Sequence, residues 1–220
     1  MFLIFVLLGT GIGVFMIRRF LDIIASGVGL AMLSPLFGLI ALAIKLDDPG
    51  PAFFRQERAG KDGRVFRIFK FRTMVVDETR TNRDVVIPEE DPRITRVGSF
   101  LRKTSLDELP QLINIFMGEM SLVGPRPTLP VQVEGYDSWQ RRRLLVKPGI
   151  TGWAQIHGRN ALTWPERIEL DIWYVENRSF RLDLKILLET FFVVLNRQGI
   201  YRQASESPPA GDAVQQREDG

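Results

Sequence analysis

Residues 102–110 read Arg102-Lys103-Thr104-Ser105-Leu106-Asp107-Glu108-Leu109-Pro110, two adjacent carboxylates with two cations just upstream. A carboxylate held where negative charge is stabilised can attack phosphorus and become phosphorylated, and it can also ligate Mg2+, which prefers oxygen donors and bridges protein to substrate phosphates. Arg102 would then neutralise the transferring phosphate. The same residues have a purely structural reading. Ser105 followed three residues later by Glu108 is a capping-box pattern, and acids in a first turn complement the helix dipole. Spacing alone favours the structural reading.

Arg126 stands between Pro125 and Pro127. The flanking rings restrict the backbone and would aim a guanidinium for two-pronged contact with phosphate, although an ordinary surface turn with an ion pair has the same sequence. Lys70 and Arg72 could line the same anionic site or be solvated strand residues. Lys147-Pro148-Gly149 and Gly158-Arg159-Asn160 are turn-like basic segments open to either reading. Gly9, Gly11 and Gly13 lie in an apolar run without the spacing or the preceding strand of a nucleotide loop.

Composition narrows the chemistry. The 220 residues contain no cysteine and one histidine, His157. Disulfides, thiolate nucleophiles and cysteine metal sites are excluded, and a histidine-based triad or zinc site would rest on one residue. The net charge of +3 is unevenly spread. Basic residues crowd between Arg55 and Arg72 and again from Arg141 to Lys147, a pattern that suits phosphate on lipids, nucleotides or nucleic acid.

The elements that must position these groups are expected as follows. Residues 1–17 are apolar or small, and after Arg18 and Arg19 a second apolar run extends over 20–44, broken only by Asp22. At about 1.5 Å per residue that run could cross a hydrocarbon layer of roughly 30 Å. Ser34-Pro35 near its middle predicts a kink. Basic residues flank both ends, which is best satisfied if both lie on the cytoplasmic side, so that the segment dips in and returns; an ordinary kinked span fits the pattern as well. Residues 51–74 alternate, with Phe66, Ile68 and Lys70 on one face and Arg67, Phe69 and Phe71 on the other, around a Gly60-Lys61-Asp62-Gly63 turn, which predicts a β-hairpin. Residues 75–93 read as a polar loop. Leu106, Leu109, Leu112, Ile113, Phe116 and Met117 predict a helix with one buried face ending at Gly118. Residues 139–145, with Arg141-Arg142-Arg143, read as an amphipathic piece suited to a headgroup layer or as a solvated charged face. Further helices are expected over 164–176 and 182–195, the latter with an apolar stripe from Leu184 to Leu195, and the tail at 201–220 is expected to be disordered.

Together these segments resemble the bacterial sugar transferase family, the monotopic polyprenyl-phosphate phosphoglycosyl transferases. The resemblance is carried by Arg18-Arg19-Phe20, Ser34-Pro35, Asp48-Pro49-Gly50-Pro51, Phe54-Arg55-Gln56-Glu57-Arg58, Lys70-Phe71-Arg72-Thr73-Met74, residues 104–111, 122–127 and 147–155, and Leu170-Asp171, in family order over about residues 18–200. It implies an α+β, mainly helical fold: a re-entrant membrane helix hairpin kinked at Ser34 and Pro35 (18–46), and a catalytic domain (47–200) with a small β-hairpin and amphipathic helices at the membrane face. That domain would lie on the cytoplasmic face of the bacterial inner membrane.

The implied activity is transfer of a phosphosugar from a UDP-sugar to polyprenyl phosphate, undecaprenyl phosphate in most bacteria, with release of UMP. Asp107 and Glu108 match the catalytic dyad, with Asp107 the nucleophile and a ligand of Mg2+, and Glu108 a proton or metal partner. Arg102, Arg126, Lys70, Arg72 and Asp171 are the candidate phosphate-binding positions. Membrane lipid is an expected partner, nucleic acid is not, and homo-oligomerisation is left open. The apolar stretch at 1–17 departs from the smallest family members, and its topology is not fixed by the sequence. Two other classes compete: a non-catalytic membrane scaffold, which would not need the dyad beside Arg102, and a nucleic-acid-binding membrane protein, for which no binding module is visible.

Overall fold

The computed structural model describes residues 11–75, 91–158 and 161–195. Most of the first apolar stretch, residues 76–90 of the expected loop, Arg159-Asn160 and the tail at 201–220 lie outside the described residues.

Helix α1, Gly11–Asp47, is a single element whose backbone stays helical through Ser34-Pro35. Proline lacks the N–H that would bond the carbonyl four residues earlier. That carbonyl belongs to Ala31, and the Ser34 hydroxyl donates to it at 2.9 Å. The serine thus satisfies an acceptor left open by the proline beside it. The helix bounds run unbroken through Ser34 and Pro35, where the kink of the re-entrant hairpin was expected.

Both ends of α1 are fastened to the same folded body. Near its start, Asp22 accepts from Ser121 Oγ at 2.8 Å and from the Leu122 N–H at 2.9 Å. Arg19 donates to the carbonyls of Ile115 at 2.6 Å and Phe116 at 2.8 Å, and Arg18 pairs with Asp183 at 3.0 Å. Near its end, Ile40 and Ile44 are buried with Phe71 and Leu101, and Asp47 accepts from the Val97 N–H at 2.9 Å. Between these anchors the helix is long and apolar enough to cross a membrane and shows much of that surface outward, Met32 being 75% exposed.

The hairpin forms as expected. Strands β1 (Phe53–Ala59) and β2 (Val65–Phe71) pair antiparallel, with Arg55 opposite Phe69. The turn between them needs left-handed backbone at Asp62, φ 57°, and at Gly63, φ 77°. Helix α2, Arg96–Thr104, starts at Thr95, whose Oγ1 accepts from the Gly98 N–H at 2.9 Å.

The long helix expected from residue 106 to 117 is instead broken. Ser105 takes φ 57°, ends α2 with its N–H on the Arg102 carbonyl at 3.1 Å, and makes no side-chain cap. A single 3-10 turn, Leu106–Glu108, follows, and α3 starts only at Gln111, after Pro110, and runs to Met117. The capping box between Ser105 and Glu108 therefore does not form, because Ser105 closes one helix instead of opening the next. Gly118, φ 90°, is the expected stop, and its N–H bonds back to Asn114 and Ile115 at 3.0 Å. Phe116 and Met117, assigned to the buried face by period, are about half exposed.

Strands β3 (Ser121–Val123) and β4 (Gly149–Thr151) form a short parallel pair that was not visible in the sequence. Between them lie α4 (Pro130–Glu134) and a 3-10 segment, Gln140–Leu145. In the latter, Arg143 is buried inside the body and so takes no part in the charged outer face expected of 139–145, while Trp139, Arg141, Arg142 and Leu145 are exposed. Helices α5 (Trp153–Ile156), α6 (Trp164–Asn177) and α7 (Phe180–Leu195) complete a mainly helical α+β fold. At the start of α6, Glu166 accepts from the Thr163 N–H at 2.8 Å, a capping box where none had been assigned. Most of the α7 stripe faces outward, with Leu184, Leu188, Phe191, Phe192 and Leu195 all exposed.

Gly98 shows how closely α2 meets the strand exit. A Cβ there would lie 2.1 Å from the carbonyl oxygen of Thr73, a backbone atom that cannot swing aside. Gly98→Ala is therefore expected to lower stability by at least about 1–3 kcal/mol, the range for overpacking. Gly38→Ala, with nothing within 4 Å of the new methyl, should leave stability unchanged or raise it. Thermal unfolding of both variants in the same detergent checks the contrast.

Candidate active site

Two separate segments reach Glu108, and a third brings Arg102 close to the charge of Asp107. Lys70, near the end of β2, reaches Glu108 Oε1 at 2.9 Å. Arg126 grips both oxygens, Nη2 to Oε1 at 2.6 Å and Nη1 to Oε2 at 3.2 Å. Arg102, on the last turn of α2, places its Nε on Thr73 Oγ1 at 2.9 Å, just past the strand. The structure brings Asp107, Glu108, Lys70, Arg102 and Arg126 into one neighbourhood.

The register between α3 and β2 that brings Lys70 to Glu108 is fixed by a buried asparagine. Asn114 Oδ1 accepts from the Phe69 N–H at 2.9 Å, and its Nδ2 donates to the Arg67 carbonyl at 2.8 Å and to Glu119 at 2.7 Å. A side-chain amide that bridges two successive positions of a strand in this way stands in for a neighbouring strand, and removing it would leave buried backbone groups unpaired.

The two acids differ in electrostatic state. Burial works against the charge of Glu108, but Arg126 and Lys70 overcome it and hold that carboxyl well below its usual range. It is therefore a fixed anion and a poor proton acceptor, which argues against the proton role expected for it. Asp107 is pushed up to about 6, first by burial and then by the negative charge of Glu108. Lys70, Arg102 and Arg126 pull the other way without restoring the ordinary value. Among the described residues no hydrogen bond or ion pair holds the Asp107 carboxylate. The arrangement thus contains one clamped carboxylate and one poised carboxylate, with three cations around them. Its cationic surround comes from side chains, because the three-residue turn offers no long helix dipole.

Two expected phosphate ligands lie elsewhere. Arg72 is buried and bonded to the carboxylate and carbonyl of Asp48, with the Pro49 carbonyl at 3.4 Å, so it fastens the end of α1 to the hairpin. Asp171 is buried against Arg143, both side chains 1% exposed. Arg143 also donates to the Arg126 carbonyl at 3.0 Å and to Tyr136 Oη at 2.6 Å. Asp171 therefore reaches the site only through Arg143, which sets the backbone that carries Arg126. Arg143, Asn114 and Asp48 were missed as supports. Arg143 was hidden in a run of three arginines, whereas Asp22 was signalled by being the lone acid of an apolar run. Ser34 and Pro35 belong to α1 and not to this cluster.

A divalent cation is compatible with the residues present. No group of three or more His, Cys, Asp or Glu comes together among the described residues, so a closed protein cage does not form. Mg2+ commonly takes one or two carboxylates and completes its shell with phosphate oxygens and water. Asp107 can supply such a carboxylate, whereas the oxygens of Glu108 are occupied by Lys70 and Arg126.

The raised Asp107 group has a stability consequence. Its folded value of about 6 exceeds its ordinary 3.8, so the folded chain holds the proton more tightly than the unfolded chain. The stabilisation this provides is complete below about pH 4 and is lost as pH rises through about 6. Asp107→Asn keeps the shape without the charge. It should raise stability at pH 7.5 by about 1–3 kcal/mol, with the gain vanishing towards pH 4. Unfolding midpoints measured across pH check this, and an equal shift at all pH values would contradict it.

Comparison with known proteins places this site in a family. Residues 14–197 match the family described as Bacterial sugar transferase. The chain is 46% identical over 184 residues to the sugar transferase EpsL of Bacillus subtilis, covering 84% of this chain and 90% of that protein. It is 41% identical over 203 residues to the exopolysaccharide production protein ExoY of Rhizobium meliloti, covering 84% and 88%. It is 45% identical over 188 residues to the UDP-glucose:undecaprenyl-phosphate glucose-1-phosphate transferase of Escherichia coli, covering 80% of this chain but 40% of that longer protein. The chain is an enzyme of the bacterial sugar transferase family.

Proposed function

We propose that this chain transfers a sugar-1-phosphate from a UDP-sugar to polyprenyl phosphate, undecaprenyl phosphate in most bacteria, and so initiates exopolysaccharide or glycan assembly. Support for the substrates comes from relatives named for exopolysaccharide production and for transfer from UDP-glucose to undecaprenyl phosphate. The observation that carries the mechanism is the contrast between Glu108, clamped by Lys70 and Arg126, and Asp107, which no described hydrogen bond holds.

In the first step an Asp107 carboxylate oxygen attacks the phosphorus that bears the sugar. The bond from that phosphorus to the bridging oxygen breaks, and UMP leaves with the bridging oxygen. In the second step an oxygen of polyprenyl phosphate attacks the same phosphorus. The bond to Asp107 breaks, which regenerates the carboxylate and yields a polyprenyl diphosphate sugar. Both nucleophiles are anions, so neither step requires a general base, in keeping with a Glu108 that cannot readily take a proton. Arg102 and Arg126 would neutralise the equatorial oxygens, and Glu108 limits the freedom of Arg126 and Lys70 beforehand. Mg2+, held by Asp107 and the diphosphate, would add charge neutralisation.

We also read α1 as re-entrant. A helix that crossed the bilayer would carry its two ends to opposite faces, yet the Arg18–Asp22 end and the Ile40–Asp47 end pack on one polar body. The cytoplasmic side follows from the nucleotide sugar, which must reach Asp107.

Two outcomes check these readings. With UDP-sugar and no acceptor, the wild-type chain should release at most one UMP per enzyme, gain a phosphosugar at Asp107, and show ping-pong kinetics once acceptor is added. Its kcat/KM should fall as pH drops through about 6, where Asp107 is protonated. Asp107→Asn should abolish turnover; strict dependence on both substrates with no trapped adduct would mean direct transfer instead. For topology, single cysteines placed near Arg18 and near Asp48 should both label from the cytoplasmic side, and labelling from opposite faces would overturn the re-entrant reading.

A further inference from the structure

Away from the dyad, a cavity opens where the start of α1 meets the hairpin turn, β3 and the segment before α7. It is lined by Arg18, Arg19, Lys61, Lys147 and Arg178, with Asp22 the one carboxylate among its lining residues. Both oxygens of Asp22 already accept hydrogen bonds, from Ser121 and Leu122. Arg19 and Lys147 converge over Gly118. A Cβ at Gly118 would lie 3.1 Å from an Arg19 nitrogen and 3.5 Å from Lys147 Nζ. Arg18, whose side chain is 9% exposed, and Arg178 each bury an Nε with no acceptor among the described residues.

Like charges are not gathered into a pocket without cost. Burial lowers the Lys147 ammonium from its ordinary value, and the charges of Arg19 and then Lys61 lower it further, with Asp22 opposing. An anion seated among the five cations would relieve that repulsion and accept from several donors at once.

The surroundings identify the source of the anion. Exposed apolar side chains stand close in sequence to the cavity, Phe20 beside Arg19, Met117 beside Gly118 and Phe180 near Arg178, and the exposed Leu145 is part of its lining. Cations rimmed by exposed apolar residues at the entry of an apolar helix match the depth at which lipid phosphates lie. We propose that this cavity binds the phosphate of an anionic membrane-lipid headgroup at a site separate from the dyad, locking the start of α1 and α7 to the surface. This does not depend on the transfer chemistry proposed above.

The test uses the purified full chain in a neutral detergent, titrated calorimetrically with dihexanoyl phosphatidylglycerol, with dihexanoyl phosphatidylcholine, and with inorganic phosphate. Saturable binding of one phosphatidylglycerol per chain is expected, with phosphatidylcholine weaker by about tenfold or more, since its choline cation meets a cationic wall. Inorganic phosphate should bind more weakly still. The double substitution Lys147→Gln with Arg178→Gln should weaken phosphatidylglycerol by about tenfold or more while leaving the lipid-free unfolding midpoint near that of the wild type. Should that variant fail to fold, Lys61→Gln in the hairpin turn is measured in its place, with a loss of about threefold expected. Equal binding of the two lipids, or unchanged binding in the folded variant, would overturn the proposal. Tighter binding of inorganic phosphate than of phosphatidylglycerol would overturn the lipid assignment.

Discussion

The pairing of Glu108 with Lys70 and Arg126 joins three parts of the chain through their charged side chains: a strand, a 3-10 turn and a proline-bounded loop. A carboxylate with two partly buried cations is costly to desolvate and strongly destabilised if one partner is lost. The surrounding fold is consequently organised to deliver all three at once. Asn114 sets the strand against α3, and the buried Arg143–Asp171 pair holds the backbone of Arg126 from behind. With Glu108 so occupied, its charge adds to the burial of Asp107, and the neighbouring carboxyl is left raised. One acid is held as an anion, and its charge helps to keep the other from ionising at the ordinary carboxylate value.

The same economy governs α1. An apolar helix would ordinarily contact protein through apolar faces, but its first turns dock through Arg18, Arg19 and Asp22, each meeting a polar partner on the body. Its last turns dock through Ile40 and Ile44. Polar side chains thereby fasten one end of the helix to the body and apolar side chains the other. The middle, with Ser34 covering the carbonyl freed by Pro35, needs no outside donor.

Much of this was legible in the sequence because it rests on local rules. The hairpin announced itself by alternation and its Gly60–Gly63 turn and Gly118 by its position after a periodic run, whereas the dyad was picked out through the family resemblance, its spacing alone favouring a helix cap. The break at residue 105 was not legible. Ser105 and Glu108 satisfy a local helix-start pattern, and only the packing of α2 on Thr73 makes Ser105 an ending instead. Arg143 and Arg72 misled for a related reason: a basic residue in a basic run carries no sign of which member is buried, and burial was decided by Asp171 and Asp48, distant in sequence. The strand pair β3–β4 is three residues long on each side, too short to show a period.

The docking of α1 also bears on how the protein is made. Ile40 and Ile44 fill a core shared with Phe71 and Leu101, so the apolar helix is an internal part of the folded body and not a detachable tether. Its residues are synthesised before those of the body that closes on them. The remaining elements therefore assemble against a helix that has already been made. Trimming α1 away would remove a wall of the enzyme, and solubility gained in this way would be that of an incomplete fold.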